Sequence, residues 1–170
     1  MELKRYIRNI PDFPKKGILF RDITTLLKEK KAFKRAIDLL VKKFKNKRID
    51  YVVAVESRGF ILGGVVAYKL KAGFVPVRKK GKLPYKTISS TYELEYGTDT
   101  LEIHQDAIRP KSKVLILDDL LATGGTTKAV IELIEKLKGE IVGICFLIEL
   151  TDLKGREKLK DYPVYSLIKF

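Results

Sequence analysis

Apolar positions along the chain fall into short unbroken runs, and between them lie segments whose apolar residues recur at helical spacing. Residues 50–55, 114–117 and 141–148 are such runs and predict strands buried on both faces, as in a parallel sheet. Residues 74–77 predict another short strand, and 162–170 a final one after a turn into a short helix within 153–159. Phe33, Ala36, Ile37, Leu40, Val41 and Phe44 share one helical face, as do Ala129, Val130, Leu133, Ile134 and Leu137. Residues 61–70 predict an apolar helix in which Gly63 and Gly64 allow close packing. Residues 89–97 alternate and predict one arm of a hairpin, with 100–104 as the other. At the start, 2–8 predict a short helix ending before Pro11, and 10–23, with prolines and a glycine among large apolar residues, an ordered loop. The fold class is therefore α/β, with a central, mainly parallel sheet flanked by helices.

The chain has 170 residues, which suits one domain, 1–170, large enough for a substantial core. With 45% hydrophobic and 33% charged residues, disorder is not expected. The single cysteine, Cys145, excludes an internal disulfide and lies in an apolar run, where it reads as an inert core thiol. Residues 1–10 lack a signal-peptide pattern, and the apolar region 51–70 is broken by Glu56, Arg58 and Lys69, so no membrane span is predicted and a cytoplasmic location is expected. A net charge of +14 attracts anions, either nucleic acid or a phosphorylated small molecule. Much of it is lysine spread along helix faces, such as Lys28, Lys31, Lys34, Lys42 and Lys45, and reads as solvated surface.

The chemistry concentrates after the run 114–117, which ends at Asp118 and Asp119 and is followed by Ala122, Thr123, Gly124, Gly125, Thr126 and Thr127 before the helix. Glycines let a ligand approach the backbone, and N–H groups at a helix start favour a phosphate. Carboxylates at a strand's carboxyl end suit sugar hydroxyls or a divalent cation bridged to phosphate. The spacing is neither GxGxxG nor a Walker loop. An ordinary capped turn would explain the glycines and one threonine, but not the adjacent aspartates. A second anion-capable turn is Glu56-Ser57-Arg58-Gly59, where Arg58 offers a donor fork and Gly59 exposes backbone N–H groups. The plainer alternative there is an Arg58–Glu56 ion pair. Arg78-Lys79-Lys80-Gly81-Lys82 is a cationic stretch that reads equally as a solvated loop or as a lid over an anionic substrate. His104 is given no role.

The wording Asp118-Asp119-Leu120-Leu121-Ala122-Thr123-Gly124-Gly125-Thr126 resembles the phosphoribosyl pyrophosphate loop of type I phosphoribosyltransferases, in particular the adenine phosphoribosyltransferase branch. Pro14-x-x-Gly17-x-x-Phe20-Arg21-Asp22-Ile23, Leu94-Glu95-Tyr96-Gly97 and Glu149-Leu150-Thr151 with Gly155-Arg156 are similar to other motifs of that branch. The resemblance implies a type I fold with a flexible hood, about 78–104, over the carboxyl edge of the sheet, and a base-recognition loop at about 10–23. It implies that adenine and phosphoribosyl pyrophosphate give AMP and pyrophosphate, a purine-salvage reaction. Asp118 and Asp119 would hold the ribose hydroxyls, and Ala122 to Thr126 the 5′-phosphate. Ser57, Arg58, Gly59 and the hood cations Arg78, Lys79 and Lys82 would face pyrophosphate. Backbone groups of Leu19 and Arg21 would read the adenine edge, with Phe20 and Leu150 as apolar surfaces. Glu95 would act on the base near the site of proton transfer, beside Tyr96. Mg²⁺ would arrive with the substrate, and Asp118 and Asp119 are its candidate contacts; the family also implies a homodimer. A 6-oxopurine phosphoribosyltransferase is the nearest alternative activity. A nucleic-acid-binding regulator on the same fold is a further one, although nucleic acid is not the expected partner because no separate DNA-binding domain fits in the chain.

Overall fold

A computed structural model describes residues 2–94 and 97–170. Met1 and two residues assigned a role above, Glu95 and Tyr96, lie outside the described residues. The chain divides into two compact units, Met1–Leu39 and Leu40–Phe170.

In the first unit a 3₁₀ turn (Leu3–Tyr6) leads into strand β1 (Arg8–Ile10), which pairs antiparallel with β2 (Phe20–Asp22) before the short helix α1 (Thr24–Lys28). The segments expected as a helix over 2–8 and a loop over 10–23 are therefore partly strand. The cause is a polar clamp rather than a hydrophobic pattern. Arg8 donates from Nε and Nη2 to Asp22 Oδ2 at 2.9 and 2.6 Å, and Thr24 donates its N–H (2.8 Å) and hydroxyl (2.9 Å) to the same carboxylate. Strands of three residues are too short for alternation to register in the sequence. Phe13 packs edge-on against Phe20, with ring centroids 5.1 Å apart.

Helix α2 (Lys30–Phe44) leads into the second unit, whose seven-stranded sheet has the order β5-β6-β4-β3-β7-β8-β9. Strands β3 (Tyr51–Val55), β4 (Gly73–Lys79), β7 (Lys113–Leu121), β8 (Glu140–Glu149) and β9 (Val164–Lys169) run parallel. The hairpin β5 (Thr87–Glu93) and β6 (Thr98–His104) adds antiparallel to β4, so the expected hood is a continuation of the sheet edge. Val114, Leu115, Ile116 and Leu117 are wholly buried, as the unbroken apolar run requires. Each such side chain contributes about 1.5–3 kcal/mol of burial free energy.

Two boundaries move in ways that matter for function. Strand β7 does not stop at the acidic pair; it continues through it to Leu121, because the long β8 supplies ladder partners as far as Glu149. Its other neighbour, β3, supplies none beyond Ala54↔Leu117, so the sheet opens on one side where Asp118 begins. Helix α3 (Arg58–Leu70) starts earlier than the apolar pattern implied, placing Arg58 and Gly59 in its first turn rather than in a preceding loop. Gly63 lets α3 lie on β3, since a Cβ there would be 2.7 Å from the Ala54 methyl, whereas Gly64 meets nothing within 4 Å and has no packing role. Helix α4 (Gly125–Lys136) follows β7, and 3₁₀ turns at Thr151–Leu153 and Gly155–Leu159 replace the short helix expected there.

Candidate active site

Where β3 and β7 part, the second unit holds a cleft of about 560 Å³. Its lining comes from the end of β3 (Val55 to Arg58), from Lys79, from the hairpin (Tyr92, Leu94, Asp99), and from the continuous stretch Asp118 to Thr127. This is the carboxyl end of the parallel strands, where open α/β sheets place ligands.

The floor is the acidic pair. Asp119 is 7% exposed and accepts a charge-assisted bond from Arg58 Nε at 2.7 Å. Asp118 is half-buried, and its Oδ1 accepts the Asp119 backbone N–H at 2.8 Å. Burial, and next the charge of Asp119, hold the Asp118 carboxyl well above the usual carboxylate range, against the opposing pull of that N–H and of Arg58. The two carboxylates therefore differ: Asp119 is paired with an arginine, and Asp118 resists ionising. Gly59 lies under Asp118, and a Cβ there would stand 2.8 Å from Oδ1, so α3 can begin this close to β7 only with glycine at that place.

The loop after β7 turns sharply at Gly124, which has a φ of +83° and caps α4. A Cβ on it would meet the Gly155 carbonyl oxygen at 2.6 Å. Ala122 to Thr126 all line the cleft, and with them the N-terminus of α4, whose first N–H groups have no partner within the helix. Neutral amides, hydroxyls and a helix dipole suit a phosphate dianion here.

Cations line the cleft too, each beside a carboxylate. Arg58 lines it, and Lys79, from β4, reaches Asp99 Oδ2 at 3.1 Å, a bond that raises the lysine's pKa and lowers that of Asp99 against the effect of burial. Arg78 and Lys82 are not among the lining residues. Arg78 instead pairs with Glu56 at 3.3 Å, and Glu56 also accepts the Lys79 N–H at 2.7 Å. So the alternative partner considered for Arg58 is taken by Arg78, while Arg58 reaches Asp119. Leu150 is half-buried just beyond β8 and donates its N–H to Leu121 O at 2.9 Å. Leu19, exposed, and Phe20 and Arg21, half-buried, belong to the first unit, where Arg21 donates to Asn9 Oδ1 at 2.5 Å. His104 accepts the Tyr85 N–H at 3.4 Å and does not line the cleft. Among the described residues no group of three or more His, Cys, Asp or Glu side chains is placed to hold a metal ion.

Three contributors went unread in the sequence. Tyr92 and Asp99 enter the wall through hairpin pairing, in which they face each other across β5 and β6. Gly155 stands behind the phosphate loop, about thirty residues away along the chain, and no local pattern near it points to that contact.

A sequence model of the phosphoribosyl transferase domain matches residues 22–170. An adenine phosphoribosyltransferase of Brachyspira hyodysenteriae is 62% identical over 170 residues, all of both chains. One from Clostridium tetani is 63% identical over all of this chain and 99% of its own. This chain belongs to the adenine phosphoribosyltransferase family. Solved structures of the family agree with the fold described above. The enzyme of Thermoanaerobacter pseudethanolicus superposes with a TM-score of 0.96 at 56% identity, covering 99% of this chain and 98% of that one. The enzyme of Giardia lamblia, in complex with 9-deazaadenine, gives 0.94 at 41% identity over 99% and 96%. The family's type I α/β architecture is thus the one whose strand ends form the cleft.

Proposed function

We infer that the chain catalyses transfer of a phosphoribosyl group from phosphoribosyl pyrophosphate to adenine, releasing pyrophosphate and forming AMP. The observation that carries the reading is the cleft itself, which an amide-rich loop, an acidic pair, an arginine and a lysine line together. That set of groups matches a sugar carrying phosphate at one end and pyrophosphate at the other. Family membership supplies adenine as the acceptor.

Asp118 and Asp119 hold the ribose hydroxyls as acceptors, which fixes the anomeric carbon in the cleft. Binding of the donor substrate recruits Arg58 away from Asp119 to the pyrophosphate, leaving Asp119 free for the sugar. As the anomeric bond breaks, negative charge gathers on the departing pyrophosphate, where Arg58, Ser57, the Gly59 amide and Lys79 stabilise it. Positive charge gathers on the ribose, beside the carboxylates. No covalent nucleophile is needed; positioning and electrostatics suffice. Arg78 and Lys82 act from the hood, and Glu95, outside the described residues with its neighbour Tyr96, acts on the base near the site of proton transfer. Backbone groups of Leu19 and Arg21 read adenine, with Phe20 and Leu150 as its apolar surfaces. Asp118 and Asp119 fit Mg²⁺ held through the substrate, being an open pair rather than a closed cage, and the ion would supply charge neutralisation at the leaving group.

We further propose a cytoplasmic homodimer. Support for the dimer comes from exposed apolar side chains close in sequence on α3 and β4, with Ile61 at 45%, Tyr68 at 83% and Phe74 at 38% exposure. No helix among the described residues is long and apolar enough to cross a membrane.

A crystal structure with AMP tests the site assignment. The reading expects the 5′-phosphate on the amides of residues 123–126 and the ribose hydroxyls on Asp118 and Asp119. A phosphate seated at Arg58, with the loop empty, would reverse the assignment of the two anion sites.

A further inference from the structure

We propose that Gly155, held in place by the Glu149–Arg156 ion pair, is a positioning residue for the 5′-phosphate site. The inference rests on the reading that Ala122 to Thr126 take that phosphate. Gly155 is buried, and a Cβ built on it would stand 2.2 Å from Ala122 O and 3.0 Å from Gly124 N. The reciprocal Cβ on Gly124 would stand 2.6 Å from Gly155 O. Two backbones thus touch with no side chain between them, and the back of the phosphate loop has a rigid wall.

That wall is anchored by Arg156. Its Nε and Nη2 donate to Glu149 Oε1 and Oε2 at 2.9 and 2.5 Å, Nη1 donates to Val164 O at 2.8 Å, and Nη2 reaches Ser166 Oγ at 3.3 Å. One guanidinium therefore ties the Gly155 turn to both β8 and β9. Glu149 is 5% exposed and sits opposite Leu121 in the ladder, immediately before the phosphate loop. Its carboxyl lies below the ordinary range, chiefly because of the bond to Arg156. None of Glu149, Gly155 and Arg156 lines the cleft, so their influence on substrate passes through the backbone of residues 122–124. A planar fork making four contacts cannot be reproduced by lysine.

The test compares inhibition by AMP and by adenosine, which differ in the 5′-phosphate, for the wild type and for Gly155→Ala, Arg156→Met and Arg156→Lys. Gly155→Ala is expected to cut the preference for AMP over adenosine by about tenfold or more, as misplacement of a binding group by an ångström does. Arg156→Met acts in the same direction, and Arg156→Lys gives partial recovery. The KM for phosphoribosyl pyrophosphate rises in step, while that for adenine stays within about twofold of the wild type. A purely structural role would weaken AMP and adenosine alike, and that result, or an unchanged preference in folded variants, overturns the proposal. If Gly155→Ala does not fold, the Arg156 pair decides the matter by the same ratio. A wild type with no preference for AMP would instead overturn the phosphate-loop reading; a wild-type preference that every variant keeps would overturn this inference alone.

Discussion

Replacing Gly124 by alanine should damage the protein in a way that the same change at Gly125 does not. Gly124 has a φ of +83°, in the left-handed region, which costs a residue with a Cβ about 1–2 kcal/mol. Its added methyl would also stand 2.6 Å from the Gly155 carbonyl oxygen, a backbone atom that can move only if the turn moves. Overpacking of this kind costs about 1–3 kcal/mol. The sum, about 2–5 kcal/mol, is a large part of a typical domain stability of about 5–15 kcal/mol. At about 2–4 °C per kcal/mol for a chain of this length, Gly124→Ala should lower the melting temperature by roughly 5–20 °C. Gly125 is already helical, and a Cβ there would meet Tyr92 at 3.5 Å, ordinary contact. Gly125→Ala should therefore leave stability unchanged or improve it by up to about 1 kcal/mol. Because Gly125 lines the cleft, that variant should still raise the KM for phosphoribosyl pyrophosphate. Thermal unfolding and steady-state kinetics on both variants separate the two effects. A Gly124→Ala protein that melts with the wild type and keeps its KM would refute the reasoning, as would equal destabilisation by the two changes.

Three further outcomes are expected. Asp119→Asn removes the charge that Arg58 holds at 2.7 Å and one of the causes that raise the Asp118 carboxyl. Turnover should fall about 100-fold with the fold intact, and a variant with near wild-type turnover by direct product assay would exclude Asp119 from the chemistry. Asp22, 7% exposed, has its carboxyl lowered from 3.8 to about 2: burial raises it, but the Thr24 N–H and hydroxyl and Arg8 together outweigh that. A carboxylate whose folded pKa is depressed stabilises above its unfolded value and loses that contribution as pH falls towards its folded value. Discounted for the exposed Arg8 partner, the contribution is about 1–2 kcal/mol, present above about pH 4 and lost towards pH 2. Asp22→Asn should flatten the stability profile across that window in denaturant titrations, and an unchanged slope would contradict the assignment. Tyr68→Glu, at a site 83% exposed, should shift sedimentation from dimer towards monomer, and a dimer that persists unchanged would place the interface elsewhere.

The sheet was legible because buried parallel strands must be apolar throughout, and Val114 to Leu117 and Ile144 to Ile148 are. The acidic pair and glycine loop were legible for the opposite reason, since an ordinary capped turn does not call for two adjacent carboxylates at the end of such a run. Less could be read where polar contacts set the structure. The β1–β2 pairing depends on Arg8 and Asp22 meeting across a loop, and nothing in local periodicity encodes it. The continuation of β7 through Asp118 and Asp119 depends on the length of its neighbour β8, a property of another segment. Among the expected hood cations only Lys79 lines the cleft, because Arg78 is bound to Glu56, a pairing that charge counting along the chain cannot choose. The contact between Gly124 and Gly155 is of the same kind: each glycine is visible, but their proximity is a product of the fold.

The most direct measurement is AMP formation from phosphoribosyl pyrophosphate and Mg²⁺ with adenine, hypoxanthine, guanine and xanthine offered in parallel. The account expects turnover with adenine alone, dependent on the cation. Turnover of an oxopurine in preference to adenine would contradict the base assignment at Leu19 to Arg21, and no turnover with any base would contradict the transferase reading of the cleft.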